Sequence, residues 1–274
     1  MRVLVTAGNT QTPIDRVRCL TNIFTGRTGA LIAAEAHRRG HAVTLLTSHP
    51  ETAAGVSGPE VRSYRTFDDL HGLLAELVPA GGFDAIVHSA AVSDYALEGM
   101  YAGGFLPLSA SERGPGGEVS PEANHPANQG HTHAFRQTSP PSPLSEVERG
   151  DRRSATNLPV AGKIRSTHPE LWMKFTPTPK LIDFIRTRWY FRGVLVKFKL
   201  EVEVTDAELL TIALRSRAQS DADILVANTL DGYEIDAWLV DRSDSAERIV
   251  RADLPAALLD RIERVFTGHA DSTR

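Results

Sequence analysis

The stretch that decides the fold is VLVTAGNTQTPID, residues 3–15, at the start of the chain. An apolar run over residues 3–5 stops at a small-residue turn over residues 6–10, as in the first strand of a nucleotide-binding, doubly wound sheet. The usual dinucleotide fingerprint has three glycines spaced G-x-G-x-x-G, with a helix starting at once. Here one glycine is followed by Pro13, and no helical pattern begins before Gly26. The stretch therefore predicts a nucleotide-binding type of sheet without an ordinary dehydrogenase turn.

Strand and helix patterns alternate along the rest of the chain. Short runs rich in Val, Ile and Leu are predicted strands, namely RVLVT, HAVTLLT, EVRSYRT, FDAIVHSAAVSDY (running into a turn), ELWMKFT, GVLVKFKLEV, DADILVAN and DAWLVDR. Amphipathic segments are predicted helices, namely TGALIAAEAHRRG, FDDLHGLLAELV, TPKLIDFIRTRW, DAELLTIALRSRA and PAALLDRIERVF. This alternation predicts an α/β protein with a three-layer Rossmann-like fold and a mainly parallel sheet.

A long polar tract interrupts the pattern. Residues 104–157 are loaded with Gly, Pro and Ser, and the octapeptide PLSASERG at 107–114 nearly recurs as PLSEVERG at 143–150. Such a tract cannot bury enough apolar surface to order itself, so we predict a disordered insertion. Residues 1–103 and 158–270 are then one Rossmann-like domain. Three histidines in the tract, His125, His131 and His133, lack cysteine or carboxylate neighbours at metal-ligand spacing.

Composition excludes several classes of protein. The chain has 274 residues, 41% of them hydrophobic, with a net charge of −4, which argues against a nucleic-acid binder driven by phosphate neutralisation. No apolar run approaches the roughly 20 residues that cross a bilayer. A single cysteine, Cys19, excludes a disulfide framework or a multi-cysteine zinc site. We therefore expect a soluble cytoplasmic protein that binds neither nucleic acid nor membrane.

A series of motifs, in order, resembles the phosphopantothenate–cysteine ligases of coenzyme A biosynthesis, most closely the stand-alone bacterial type. The motifs are TAGNT at 6–10, PID at 13–15, an arginine at 18, TN at 21–22, TGRTG at 25–29, HSAAVSDY at 88–95, GKIRST at 162–167, TPTPKLI at 176–182, VKFKLEV at 196–202 and DADILVAN at 221–228. They cover nearly the whole chain apart from the insertion.

The resemblance implies a ligase that joins 4′-phosphopantothenate to cysteine through an acyl-nucleotide. It implies CTP or ATP as co-substrate, Mg²⁺ to neutralise the triphosphate, and a homodimer. Positioning and charge neutralisation suffice for both steps. The absence of a Ser-His-Asp or Cys-His pattern is therefore in keeping with this reaction.

The resemblance also assigns roles to individual residues. Asn22 and Lys163 are the implied catalytic residues, and Arg18, Asn22 and Arg27 the implied substrate-binding residues. The implied nucleotide-binding residues are Gly8, Thr10, His88, Ser89, Ala90, Asp94, Lys163, Thr178, Pro179, Lys180, Leu181, Phe198 and Arg215. Asp94 is in addition the one side-chain candidate for the metal.

Several of these residues have an ordinary structural alternative. Asn22 could cap a turn, Asp94 could cap a helix, Phe198 could be a core aromatic, and Lys163 could be a solvated surface lysine. The turn at Gly8 and Thr10 could simply end a strand.

Two departures from the family pattern stand out. Thr178 and Lys180 replace the residues of its N-P-D-I stretch, and arginines replace the lysines expected on the helix before DADILVAN.

These departures keep a second function open, a non-catalytic nucleotide-binding relative of the ligase. A short-chain NAD(P) reductase is a third alternative. It would need a Tyr-x-x-x-Lys pair, and no tyrosine of the chain has lysine four residues later.

Overall fold

The computed structural model describes residues 1–53, 58–102, 156–158, 163–164, 168 and 170–272. It divides into two compact units, one formed by Met1–Leu97 with Phe175–Arg274 and the other by Glu98–Lys174. The strands are β1 (Arg2–Ala7), β2 (Gln11–Pro13), β3 (Cys19–Thr21), β4 (Ala42–Thr47), β5 (Glu60–Ser63), β6 (Ala85–His88), β7 (Tyr95–Ala102), β8 (Thr156–Leu158), β9 (Leu171–Pro177), β10 (Val194–Glu201), β11 (Ile224–Thr229), β12 (Asp236–Asp241) and β13 (Ala246–Val250). The helices are α1 (Arg27–Arg38), α2 (Phe67–Leu77), α3 (Leu181–Thr187), α4 (Asp206–Gln219) and α5 (Leu254–Ser272), with short 3₁₀ turns at Pro50–Ala53 and Arg251–Asp253.

An eight-stranded sheet forms the centre of the first unit, in the order β5-β4-β1-β6-β10-β11-β12-β13. The strands from β5 to β11 are parallel, and β12 and β13 close one end in antiparallel pairing. The chain proceeds from β1 outward to β4 and β5, then returns to β6 on the other side of β1. This reversal makes the carboxyl ends of β1 and β6 the switch point where open α/β sheets bind ligands. The predicted fold class is confirmed.

Helices cover both faces of this sheet because alternate strand residues point to opposite sides. Val3 and Val5 of β1 join a core cluster with residues of α1 and α5, such as Ile32 and Leu258. Leu4 between them joins the opposite cluster, which includes residues of α2 and α3. The result is the three-layer arrangement predicted from the sequence.

Local sequence signals fix the helix ends. Helices α2 and α4 each begin with a capping box at a threonine, Thr66 or Thr205. The threonine hydroxyl accepts a hydrogen bond from the backbone N–H three residues later, and the carboxylate of that later residue, Asp69 or Glu208, accepts one from the threonine N–H. Helix α1 ends at Arg38, and Gly40, two residues on, has φ 84° and donates its N–H to the His37 carbonyl at 2.8 Å.

The sequence missed some elements. The hairpin of β2 and β3, and the last strand β13, had no predicted counterpart. The predicted strand ELWMKFT forms, as β9, but belongs to a separate three-stranded sheet with β7 and β8. The insertion at 104–157 lies outside the described residues except for its last two positions, so the domain boundaries stay a prediction. No helix within the described ranges is long and apolar enough to cross a membrane.

Candidate active site

Three glycines that are distant in sequence meet at the carboxyl end of β1. Gly8 has φ 88° and Gly26 φ 84°, a region that side chains other than glycine rarely adopt. A Cβ on Gly26 would lie 2.1 Å from the Gly8 backbone nitrogen. A Cβ on Gly29 would lie 2.6 Å from both the Ala7 Cβ and the Ser89 Oγ. Only glycine therefore lets the start of α1 approach the turns after β1 and β6 so closely.

The hairpin of β2 and β3 explains why the sequence showed only one glycine. It is inserted between Gly8 and α1, so the second and third glycines of the expected turn are Gly26 and Gly29. Helix α1 then starts with Gly26 as N-cap, without a side-chain cap and without an acidic residue in its first turn. The first N–H groups of such a helix, with the positive end of its dipole, favour an anion.

Arginines surround this helix start. Arg27 is its first residue and is exposed. Arg251, which the sequence analysis missed, donates to the Thr28 hydroxyl, while its buried Nη1 has no hydrogen-bond partner in the described part of the chain. Burial lowers the pKa of the Arg251 guanidinium from its ordinary value, and the charge of Arg27 lowers it further, although Tyr233 and Glu234 oppose this. No sequence signal pointed to Arg251, because it follows the unpredicted strand β13.

Asn22 lies in the loop between β3 and α1, with an exposed side chain. Its Nδ2 donates to the Ala91 carbonyl at 3.1 Å. Because a carbonyl can only accept, the nitrogen of the amide must be the atom that faces Ala91. The Asn22 main-chain carbonyl accepts from Asn9 Nδ2 at 2.7 Å. Asn22 is therefore held beside the turns after β1 and β6, as its predicted role requires.

Thr10, Ser93 and Thr178 tie the turn after β6 to the rest of the site. The Ser93 N–H donates to Thr10 Oγ1 at 2.7 Å, and Thr178 Oγ1 donates to the Ser93 carbonyl at 2.6 Å. The Ser89 hydroxyl likewise donates to the Thr6 carbonyl at 2.7 Å, and the Ala90 N–H to Thr6 Oγ1 at 3.2 Å. These polar side chains shape the backbone of the site.

His88 ends β6 and is 8% exposed. Its Nδ1 lies 3.0 Å from Thr6 Oγ1. Burial lowers the pKa of the imidazole from 6.5 to about 4, and the neighbouring Lys197 ammonium adds to the effect. The ring is therefore neutral near pH 7 and cannot act as a phosphate-binding cation. Lys197 is half-buried, donates to the Ser216 carbonyl at 3.0 Å, and has its own pKa lowered by burial.

The segment before α3 places its predicted residues in different surroundings. Lys180 forms an ion pair with Asp94, and both side chains are exposed. Pro179 is exposed, whereas Leu181 is 1% exposed in the core, so only its backbone could meet a ligand. Phe198 is partly buried and packs against the core cluster of Val194 and Val196, in line with its structural alternative.

The predicted cations are not all at this edge of the sheet. Arg18 directs its guanidinium to the buried carboxylate of Asp15, at 3.0 Å from Nε and 2.5 Å from Nη2, which fixes the tip of the hairpin. Arg215 is near the C-terminal end of α4, which leads to Asp223, and the Asp223 N–H donates to the Leu195 carbonyl at the start of β10. Arg215 therefore lies toward the amino edge of the sheet, and its predicted role in nucleotide binding stays a prediction. Lys163 lies in the second unit with an exposed side chain.

Candidate metal ligands are sparse. Among the residues that the structure describes, no group of three or more His, Cys, Asp and Glu side chains could hold a metal ion. Asp94, the predicted metal candidate, is paired with Lys180. The predicted metal role of Asp94 stays a prediction.

Comparison with known proteins leads to one family. Residues 1–103 match the family described as the DNA/pantothenate metabolism flavoprotein C-terminal domain. A coenzyme A biosynthesis bifunctional protein CoaBC from Thermococcus kodakarensis is 27% identical over 271 residues, which cover 97% of this chain and 51% of that protein. The CoaBC protein of Mycobacterium bovis is 35% identical over 94 residues, 34% of this chain and 22% of that protein. The predicted resemblance to this family is confirmed over residues 1–103, whereas the stand-alone bacterial type stays a prediction, because both of these curated relatives are bifunctional proteins. The chain spans about half the length, or less, of these curated relatives.

Solved structures share the fold. The DNA/pantothenate metabolism flavoprotein from Streptococcus pneumoniae has a TM-score of 0.67 at 24% identity, covering 97% of this chain and 99% of that one. A Cab2 mutant in complex with phosphopantothenate-cysteine has a TM-score of 0.63 at 13% identity, covering 98% of this chain and 88% of that one. At these identities the likeness establishes the architecture alone.

Proposed function

We propose that the chain is a phosphopantothenate–cysteine ligase that acts in coenzyme A biosynthesis through an acyl-nucleotide. One observation carries the proposal: the segment that matches the family, residues 1–103, is the segment that brings together Gly8, Asn22, Gly26 and Ser89 after β1 and β6. The substrates, 4′-phosphopantothenate and cysteine, are inferred for this chain from its relatives and from the complex of a structural neighbour.

The first step activates a carboxylate. A carboxylate oxygen of 4′-phosphopantothenate attacks the α-phosphorus of CTP or ATP, the bond to the β-phosphate oxygen breaks, and pyrophosphate leaves. The uncapped start of α1, with Arg27 and Arg251 beside it, fits the negative charge of a nucleotide phosphate. We propose CTP as the natural nucleotide and Mg²⁺ as the counter-ion of its triphosphate.

The second step forms the amide. The cysteine amine attacks the acyl carbon, the bond to the phosphate oxygen breaks, the nucleoside monophosphate leaves and the amine loses a proton. Asn22 has one N–H on the Ala91 carbonyl, which leaves its Oδ1 and second N–H to meet the pantothenoyl amide and the mixed anhydride. Lys163 would neutralise charge on the α-phosphate during the transfer. A homodimer and a cytoplasmic location complete the proposal.

The test is a reconstituted reaction. The chain is incubated with Mg²⁺, 4′-phosphopantothenate and cysteine, with CTP in one series and ATP in another, and pyrophosphate and phosphopantothenoylcysteine are measured. Pyrophosphate release that requires phosphopantothenate, with amide formed only when cysteine is present, supports the ligase. Asn22→Ala should slow amide formation at least tenfold while leaving a measurable rate, whereas Gln219→Ala, which removes an exposed carboxamide at the end of α4, should leave the rate unchanged.

The non-catalytic alternative rests on the Asp94–Lys180 pair and on the position of Arg215, which leave fewer charges at the site than the family pattern implies. It predicts nucleotide binding by calorimetry without pyrophosphate release. A chain that neither binds nucleotide nor releases pyrophosphate would contradict both functions.

A further inference from the structure

Asn9 is a buried carboxamide in the turn between β1 and β2, with 4% of its surface exposed. Its Nδ2 donates to two main-chain carbonyls, that of Asn22 at 2.7 Å and that of Phe24 at 2.9 Å. Two facing carbonyls require a nitrogen between them, so the orientation of the amide is fixed. The resemblance assigns Asn9 no role.

The other side of Asn9 is tied to the end of β4. Its N–H donates to Ser48 Oγ at 2.9 Å, and Ser48 Oγ lies 3.3 Å from Asn9 Oδ1. Ser48 follows directly after Thr47, the fully buried last residue of β4. The carboxamide therefore connects a rigid strand end to the loop over residues 22–26.

This loop has few other attachments. Asn22, Ile23 and Thr25 are exposed, Ile23 to 81%. The ring of Phe24 contacts that of Tyr233 edge-on, with centroids 5.7 Å apart. The Asn22 side chain reaches the Ala91 carbonyl, and Ala91 is bound in turn to the Gly8 carbonyl at 2.8 Å. Because Asn9 holds the main chain of Asn22, Asn9 fixes the position from which the Asn22 side chain extends.

We propose that Asn9 is a positioning residue that fixes the Asn22–Phe24 backbone and thereby holds the Asn22 carboxamide in its productive orientation. A group held in place before the reaction acts without reorganising, and a misplacement of about 1 Å can cost roughly a hundredfold in rate. The proposal rests on the proposed function only in that Asn22 acts on the substrate.

Two variants test the contact. Asn9→Asp keeps the shape but replaces both donors by an acceptor facing two carbonyls. Asn9→Gly removes the side chain and substitutes for Asn9→Asp if that variant does not fold. Thr44→Val is the control, because it removes a different buried polar group, the Thr44 hydroxyl in β4, which donates to Glu60 Oε2 at 3.3 Å.

The expected result is a kcat for ligation at least tenfold lower in the Asn9 variants, with the KM for nucleotide within threefold of wild type. Hydrogen exchange should accelerate in peptides over residues 20–29 and nowhere else. Adding Asn9→Asp to Asn22→Ala should change the rate no further, because Asn9 acts through Asn22. The Thr44→Val control should keep both the rate and the exchange pattern.

Two outcomes would overturn the inference: exchange over residues 20–29 equal to that of wild type, or full additivity of the two substitutions. Should wild type lack ligase activity, the proposed function would fail, while hydrogen exchange would still decide whether Asn9 holds the loop.

Discussion

Replacing Gly26 by alanine tests the close approach of α1 to the turn after β1. The new Cβ would lie 2.1 Å from the Gly8 nitrogen, 2.6 Å from the Gly8 Cα and 2.9 Å from the Ala7 carbonyl carbon. These atoms belong to backbone beside a buried strand, so they cannot move aside as a flexible side chain would. Gly26 also has φ 84°, which adds the cost of a left-handed conformation.

The magnitude follows from these two costs. A residue other than glycine in the left-handed region loses about 1–2 kcal/mol. Overpacking against well-fixed atoms typically adds about 1–3 kcal/mol. We therefore expect Gly26→Ala to lower the free energy of unfolding by about 2–5 kcal/mol.

Gly40 is the matched control at the other end of the same helix. It has the same φ of 84°, but a Cβ there would meet nothing within 4 Å. Gly40→Ala should therefore lose only about 1–2 kcal/mol. Replacing glycine by alanine also lowers the conformational entropy of the unfolded chain, which stabilises both variants by a similar amount. This stabilisation cancels when Gly26→Ala is compared with Gly40→Ala.

Urea unfolding followed by circular dichroism at pH 7 measures both values. We expect Gly26→Ala to be the less stable variant by about 1–3 kcal/mol. A difference below about 0.5 kcal/mol, the usual size of a surface substitution, would refute the close packing of α1 on the β1 turn.

Three further predictions concern the site. Burial lowers the pKa of His88 to about 4 in the fold, against 6.5 in the unfolded chain, so between these pH values only the unfolded chain binds the proton. The free energy of unfolding should therefore fall by about 3 kcal/mol as the pH drops from 6.5 to 4. Urea unfolding at pH 7 and pH 4.5 should show a smaller loss of stability in His88→Asn than in wild type, and an equal loss would contradict the lowered pKa. Asn22→Asp should impair amide formation more than activation of the carboxylate, because an ionised side chain only accepts hydrogen bonds and repels the phosphate of the acyl-nucleotide. Chromatography should therefore detect accumulated acyl-nucleotide, and an equal loss of both steps would count against the role of Asn22. Lys163→Gln should bind nucleotide normally by calorimetry but ligate about 10²–10³ times more slowly; a rate within threefold of wild type would make Lys163 an ordinary surface lysine.

The sequence predicted the layers of the fold because their signals are local. Alternating apolar runs and capping residues such as Thr66 and Thr205 mark the elements wherever they lie. The hairpin of β2 and β3 escaped prediction because three-residue strands carry no periodicity, and the exposed residues of β3 lack an apolar face.

The site was predicted less completely because it depends on contacts between distant segments. Gly26 precedes the predicted helix and Gly29 lies in its first turn, but only the folded chain brings Gly26 against Gly8 and Gly29 against Ala7 and Ser89. Arg215 was visible near the C-terminal end of the predicted helix DAELLTIALRSRA, but only the parallel pairing of β10 and β11 shows that this end lies toward the amino edge of the sheet. No sequence signal singled out Asn9, because its two carbonyl partners, on Asn22 and Phe24, are visible only in the fold.

The hairpin between Gly8 and Gly26 leaves the sheet and returns to the same point, since the two glycine backbones are in contact. Because the two ends of the hairpin are already in contact, its length can change without moving Gly8 or Gly26. Each doubling of the length of a flexible loop costs only about 0.6 kcal/mol in loop-closure free energy. Its tip, between Pro13 and Cys19, is therefore a place where residues can be added, removed or grafted. The contact between Gly8 and Gly26 and the start of α1 would keep their geometry in such a variant.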